Sequence, residues 1–210
     1  MINLNVKFLS NAYIASAADS FLKENKISSI PVDIERVIEV NYRMDIVPLP
    51  SLQTAFDIEG FSANDFSAIY VDKYVYERIY NRYRFTLAHE IGHRVLHQQY
   101  YNRLSFSKSS DWANILEQIE ESDRSSMEYQ ANMFAGMVLV PKEILKVEFN
   151  KEIPLIKSHI EQAQSNGLCR DDYLPVMTVA IADKLSPKFE VSGECLRIRI
   201  QYERIDQEIP

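Results

Sequence analysis

His89-Glu90-Ile91-Gly92-His93 is the stretch of the sequence with the most chemical content. On a helix, residues four apart project from one face about one turn apart, so His89 and His93 form a pair of imidazoles able to hold a single zinc ion. Glu90 lies on the adjoining face, where its carboxylate can take a proton from water on that ion. A hydrolytic zinc site also needs a third protein ligand and an open position for water. The downstream candidates are Glu117, Glu120, Glu121, Asp123 and Glu128. Glu128 is favoured because the following turns carry Ala131 and Ala135, small enough to let that helix pack closely on the histidine helix. Glu120, Glu121 and Asp123 sit in a charge run, the usual mark of a solvated face. His97 continues the histidine series, but on a continuous helix it stands about 12 Å along the axis from His89. That distance suits a packing or supporting residue and not a shared ligand.

The histidine helix is predicted over residues 82–98, preceded by a strand over 66–71. Earlier, a helix is expected over 11–24, with Tyr13, Ala17 and Phe21 on one side, and a second opens at Pro31-Val32-Asp33 and ends near Asn41. A short apolar run at 44–47, before Pro48 and Pro50, reads as an edge strand, because proline cannot donate to an interior ladder. After the site, helices are predicted over 111–121, from Ser125 or Ser126 to Pro141, and over 155–165 and 176–185, with Gly167 and Pro175 as punctuation. Residues 191–202 fit a helix face (Cys195, Ile198, Tyr202) and a strand alternation (Leu196, Ile198, Ile200, Tyr202) equally well.

Composition narrows the partners. With 210 residues and 46% hydrophobic side chains, the chain can bury a sizeable core. Its 23 Lys+Arg against 30 Asp+Glu give a formal charge of -7, which lacks the basic footprint of a nucleic-acid-binding protein and suits a basic protein partner better. The alternation of tyrosines with basic residues over 70–85 could stack bases, but it leads straight into the histidine helix and reads as scaffold and cleft wall. Met127, Met133 and Met137 read as core, and His159 as a surface or packing residue. Two cysteines, Cys169 and Cys195, in a chain of this length indicate a reducing setting, and the cytoplasm is expected. No stretch reaches the roughly 20 apolar residues of a membrane span.

Arg84 to His93 through Leu96-His97, followed by Glu128-Tyr129-Gln130-Ala131-Asn132-Met133-Phe134-Ala135 and Val140-Pro141, resembles the ImmA/IrrE family of zinc metallopeptidases. The Pro31 to Glu35 helix entry and the strand over 67–72 agree with it, so the resemblance spans roughly residues 30–141. It implies an α+β fold: a zincin-like metallopeptidase core, mostly helical, with a small sheet beside the metal-binding helix. It further implies His89, His93 and Glu128 as zinc ligands and Glu90 as the catalytic general base. Residues 1–150 then form the peptidase domain with its N-terminal helices, and 151–210 a mainly helical lobe whose segment 185–192 resembles a helix-turn-helix-like tail. Family members cleave, or are proposed to cleave, helix-turn-helix repressors, so a protein substrate of that class is expected. The connection over 98–126 is longer and richer in aromatics than the family's pattern.

The expected chemistry is direct attack of water on a peptide carbonyl, without a covalent intermediate. The strand over 66–71, where it borders the cleft, would hold an extended substrate by β-addition, and Tyr100, Tyr101 and Tyr129 are candidate donors to the tetrahedral oxyanion. Two rivals keep the same fold: a non-hydrolytic regulatory module acting by protein or DNA contact, and one partner of a toxin-antitoxin pair.

Overall fold

The computed structural model describes residues 1–104 and 109–210. Residues 105–108, within the aromatic-rich connection over 98–126, lie outside the described residues. Two compact units divide the chain: Met1–Ser28 with Asp33–Val138, and Ser29–Val32 with Leu139–Pro210. Residue 150, where the sequence reading divides the chain, falls inside an unbroken helix.

In the first unit, α1 (Asn11–Glu24) starts where the Ser10 hydroxyl accepts from the Tyr13 amide, and it buries Ile14, Ala18, Phe21 and Leu22 along one stripe. A short helix, α2 (Ile34–Arg36), is capped by Asp33 and continues as a π-helical turn over Val37–Asn41. Then come β1 (Asp45–Leu49), α3 (Leu52–Phe56), β2 (Gly60–Ser62) and β3 (Ala68–Asp72). The helices α4 (Lys73–Arg78), α5 (Tyr80–Tyr101), α6 (Ser109–Gln118) and α7 (Glu121–Leu139) complete the unit. The fold class is α+β and mostly helical, as expected. Neither α3 nor β2 was anticipated: five and three residues are too few to show a period.

The three strands are ordered β1-β3-β2, with β1 parallel and β2 antiparallel to β3. The central position of β3 corrects the expectation that it receives an extended substrate, since ladder bonds occupy both of its edges. Among the described residues no further strand pairs with β2. Asp72, buried at the end of β3, accepts from the amides of Tyr74 and Val75 to start α4 and from that of Gln53 to start α3.

Two close approaches set the position of α5. At Gly60 a Cβ atom would lie 2.6 Å from Thr86 Cγ2, so only glycine lets β2 lie against the helix there. Two residues of strand advance about 6.6 Å and four residues of helix about 6 Å, so the register that seats Gly60 on Thr86 carries Ser62 to Glu90. On another side, a Cβ at Gly92 would lie 3.1 Å from both Ala131 Cα and Ala131 O and 3.3 Å from Phe134 Cδ1. The missing side chain brings the α7 backbone onto α5.

Residues 2–7 form a strap that turns at Asn5, whose φ is +52. Ile2 bridges Ile119, and the Asp123 carboxylate accepts from the amides of Leu4, Asn5 and Val6 at 2.7, 3.0 and 2.8 Å. The Tyr100 hydroxyl accepts from the Lys7 amide at 2.9 Å. Asp123 is thus buried and fully engaged, not part of a solvated face, whereas Glu117 and Glu121 are exposed.

The second unit contains α8 (Lys142–Ser165), α9 (Arg170–Phe189) and α10 (Gly193–Tyr202), closed by a 3-10 turn over Ile205–Glu208. Both α8 and α9 are longer than expected, because Pro154 and Pro175 lie within them and do not break them. Gly167, at φ +79, ends α8. Residues 191–202 settle as helix: Ser192 caps α10 by accepting from the Cys195 amide, and Leu196, Arg199 and Ile200 are buried at helical spacing. No helix among the described residues is long and apolar enough to cross a membrane.

Gly92→Val should lower stability by about 1–3 kcal/mol, because its methyls meet backbone that cannot step aside. The check is the denaturant midpoint of the full chain, which falls while the slope of the transition is kept.

Candidate metal centre

The interior of the first unit holds an α5 that is buried on most sides: Leu87, Ala88 and Ile91 are apolar contacts, and Glu90, His93 and His97 are buried polar groups among them. Burying imidazoles and a carboxylate in this setting requires partners, and each has one. The Nε2 atoms of His89 and His93 lie 3.0 Å apart. Glu128, on α7, places Oε2 3.2 Å from His89 Nε2 and Oε1 3.5 Å from His93 Nε2. The crossing at Gly92 and Ala131 is what brings that carboxylate over the two rings. The imidazole atoms and the Glu90 carboxylate together form a group lying within 4.8 Å of one another.

These distances fit a metal ion. Two nitrogens bound tetrahedrally at about 2.0–2.1 Å are about 3.3 Å apart; the two Nε2 atoms here are 3.0 Å apart, and the Glu128 carboxylate lies across them with Oε2 3.2 Å from one and Oε1 3.5 Å from the other. The electrostatics agree. Burial raises the Glu128 carboxyl, but its bonds to His89 and His93 outweigh burial and hold it well below the usual carboxylate range. Burial lowers His89, and the bond to Glu128 with the nearby Glu90 charge outweighs that, so His89 is shifted upward. Both shifts say that the centre favours positive charge between its ligand atoms, supplied by a proton or by a metal ion.

The outer nitrogens of both rings are engaged. His89 Nδ1 faces Asn132 Oδ1 at 2.9 Å, and His93 Nδ1 faces His97 Nδ1 at 3.1 Å. His97 Nε2 contacts Gln130 Oε1 at 2.8 Å, and Gln130 Nε2 donates to the Lys7 carbonyl at 3.1 Å. Burial, followed by the neighbouring His93, pushes His97 down to about 3. Glu90 Oε2 accepts from the buried Ser62 hydroxyl at 2.8 Å.

The arrangement brings together all four of the site residues singled out in the sequence, His89, Glu90, His93 and Glu128. Sequence reasoning assigned no part to Ser62, Gln130 or Asn132. Asn132 stands four residues after Glu128, on its helical face, a spacing that could have revealed it; Ser62, on a three-residue strand, carries no such signal. Of the three tyrosines, Tyr100 bonds the strap and the Tyr129 hydroxyl bonds Asn11 at 3.1 Å. Tyr101 is buried with its ring 5.5 Å from that of His93.

The upward shift of His89 fixes the sign of a pH dependence. Its proton stabilises the metal-free fold below the unfolded-state value of 6.5, and that contribution is lost as pH rises through the higher folded value. A metal ion must displace the same proton. Apparent metal affinity should therefore fall about tenfold per pH unit once pH drops below the folded value, measurable by chelator competition across mildly acid to mildly basic pH.

No curated protein matches the chain. A family model does: residues 80–201 match the IrrE N-terminal-like domain, a peptidase family, over a span that starts with α5 and runs beyond Pro141 into α10. With the match covering more than half of its length, the chain belongs to the IrrE N-terminal-like domain family of peptidases.

Proposed function

We propose that the chain is a zinc-dependent endopeptidase that cleaves a specific regulatory protein in the cytoplasm, a helix-turn-helix repressor being the substrate class. The paired Nε2 atoms of His89 and His93, with one oxygen of the Glu128 carboxylate toward each and the Glu90 carboxylate beside them, carry the reading. His89, His93 and Glu128 would hold the ion. Bound there, zinc polarises the scissile carbonyl and lowers the pKa of water.

Glu90 is the general base: it takes the proton from the attacking water and delivers it to the leaving amine. Ser62 keeps one oxygen of that carboxylate bonded, which leaves the other to work and fixes the side-chain rotamer. The outer side of β2 is the proposed seat for an extended substrate, because β2 holds Ser62 against Glu90 and has a single strand partner among the described residues. Backbone pairing of this kind carries little sequence information, so selectivity falls to docking of a whole partner. The net charge of -7 favours a basic one. The repressor class itself is supported by the family resemblance of the two motifs.

Glu90→Gln should keep stoichiometric zinc and reduce hydrolysis by about 10²–10⁴-fold, the share of a general base. The assay incubates zinc-loaded protein with the product of the neighbouring reading frame and follows fragments by mass spectrometry. A Glu90→Gln chain that still performs its role in cells would replace the peptidase reading with the non-hydrolytic one.

A further inference from the structure

The contacts behind His93 have a direction. The Lys7 carbonyl can only accept, so the Gln130 side chain must turn its NH₂ toward it. The flipped amide would set two oxygens 3.1 Å apart. Gln130 Oε1 is thereby left facing His97 Nε2 at 2.8 Å, and since an oxygen without hydrogen can only accept, His97 carries its proton on Nε2. The nitrogens of His97 meet an amide oxygen and another imidazole, so the neutral ring fits, with a lone pair on Nδ1. Across 3.1 Å that lone pair faces His93 Nδ1, and one proton must lie between them. It belongs to His93. The ring of His93 then has its own lone pair on Nε2, the atom that faces His89 and Glu128.

We infer that His97 and Gln130 are positioning residues that lock His93 in the tautomer presenting Nε2 to the metal, with the polarity of the whole chain set by the backbone carbonyl of Lys7 in the N-terminal strap. The inference rests on the reading of His93 as a metal ligand. It makes the strap, more than eighty residues away in sequence, part of what aims that ligand. Partners behind a ligating histidine tune its affinity by roughly 10–100-fold when removed.

The test uses the full chain labelled with ¹⁵N-histidine. In the metal-free protein, long-range ¹H–¹⁵N correlations should show His93 as the Nδ1–H tautomer and His97 as the Nε2–H tautomer. His97→Leu and Gln130→Leu should weaken zinc binding roughly 10–100-fold in chelator competition, and Gln130→Leu should leave His93 a mixture of tautomers. His97→Asn, whose carbonyl oxygen can replace the Nδ1 lone pair, should bind zinc close to the parent's strength. The opposite tautomer at either histidine, or a folded His97→Leu chain with the parent's zinc affinity, overturns the inference. Where His97→Leu does not fold, the parent's tautomers decide. A parent that takes up no zinc defeats the peptidase reading but leaves the tautomers readable; inverted tautomers with normal zinc uptake defeat the relay alone.

Discussion

The close crossing of α5 and α7 is the constraint on which the rest depends. The two histidines are four residues apart on one helix, and no local interaction can bring a carboxylate 35 residues further on to their ring nitrogens. Gly92 does so by having no side chain where the Ala131 backbone passes. Glu128 stands about one turn before that contact on α7 and so falls over His89 and His93. Phe134, one turn after it, packs edge-to-face on Phe21 of α1 at 5.6 Å, tying the crossing to the apolar core of the first unit.

Around that crossing, polar groups are placed where each meets a polar neighbour. Glu90 has Ser62, His89 has Asn132, and His93 has His97. Ser62 comes from β2 and Asn132 from α7, while His97 lies on α5 itself, so the centre is assembled by three elements and not by the motif helix alone. Rotation of either ring would leave a nitrogen unpaired, at about 1–3 kcal/mol, which makes these ring orientations stiff. Stiffness of this kind is what electrostatic preorganisation requires.

Much of this was legible in the sequence, and the reasons for the exceptions are physical. The spacing of His89, Glu90 and His93 is a property of one helix and can be read directly. Glu128 could be singled out because Ala131 and Ala135 announce a close crossing. The helix over 11–24 is bounded as expected, but its buried stripe is Ile14, Ala18, Phe21 and Leu22, one residue round from the Tyr13, Ala17 side that the sequence suggests, and Tyr13 is exposed. What stayed hidden is held by pairing at a distance. Ser62 matters only through the register of a three-residue strand on α5. Asp123 looked like one acid among several until the strap supplied three amides to it. In the second unit Pro175 reads as a break, but α9 continues through it, and α8 likewise starts well before Pro154 and runs through it.

Pro48 lies within β1, at the rim of the sheet opposite β2. A proline there withholds a donor from any incoming chain, so that rim is a poor template for fibrillar or swapped pairing. A polypeptide pairing with this small sheet, as proposed for the substrate, would be left the other rim, beside Ser62 and Glu90. The same imino acid that guards one rim against aggregation thus leaves the sheet with one open side for pairing, without a surface charge to enforce it.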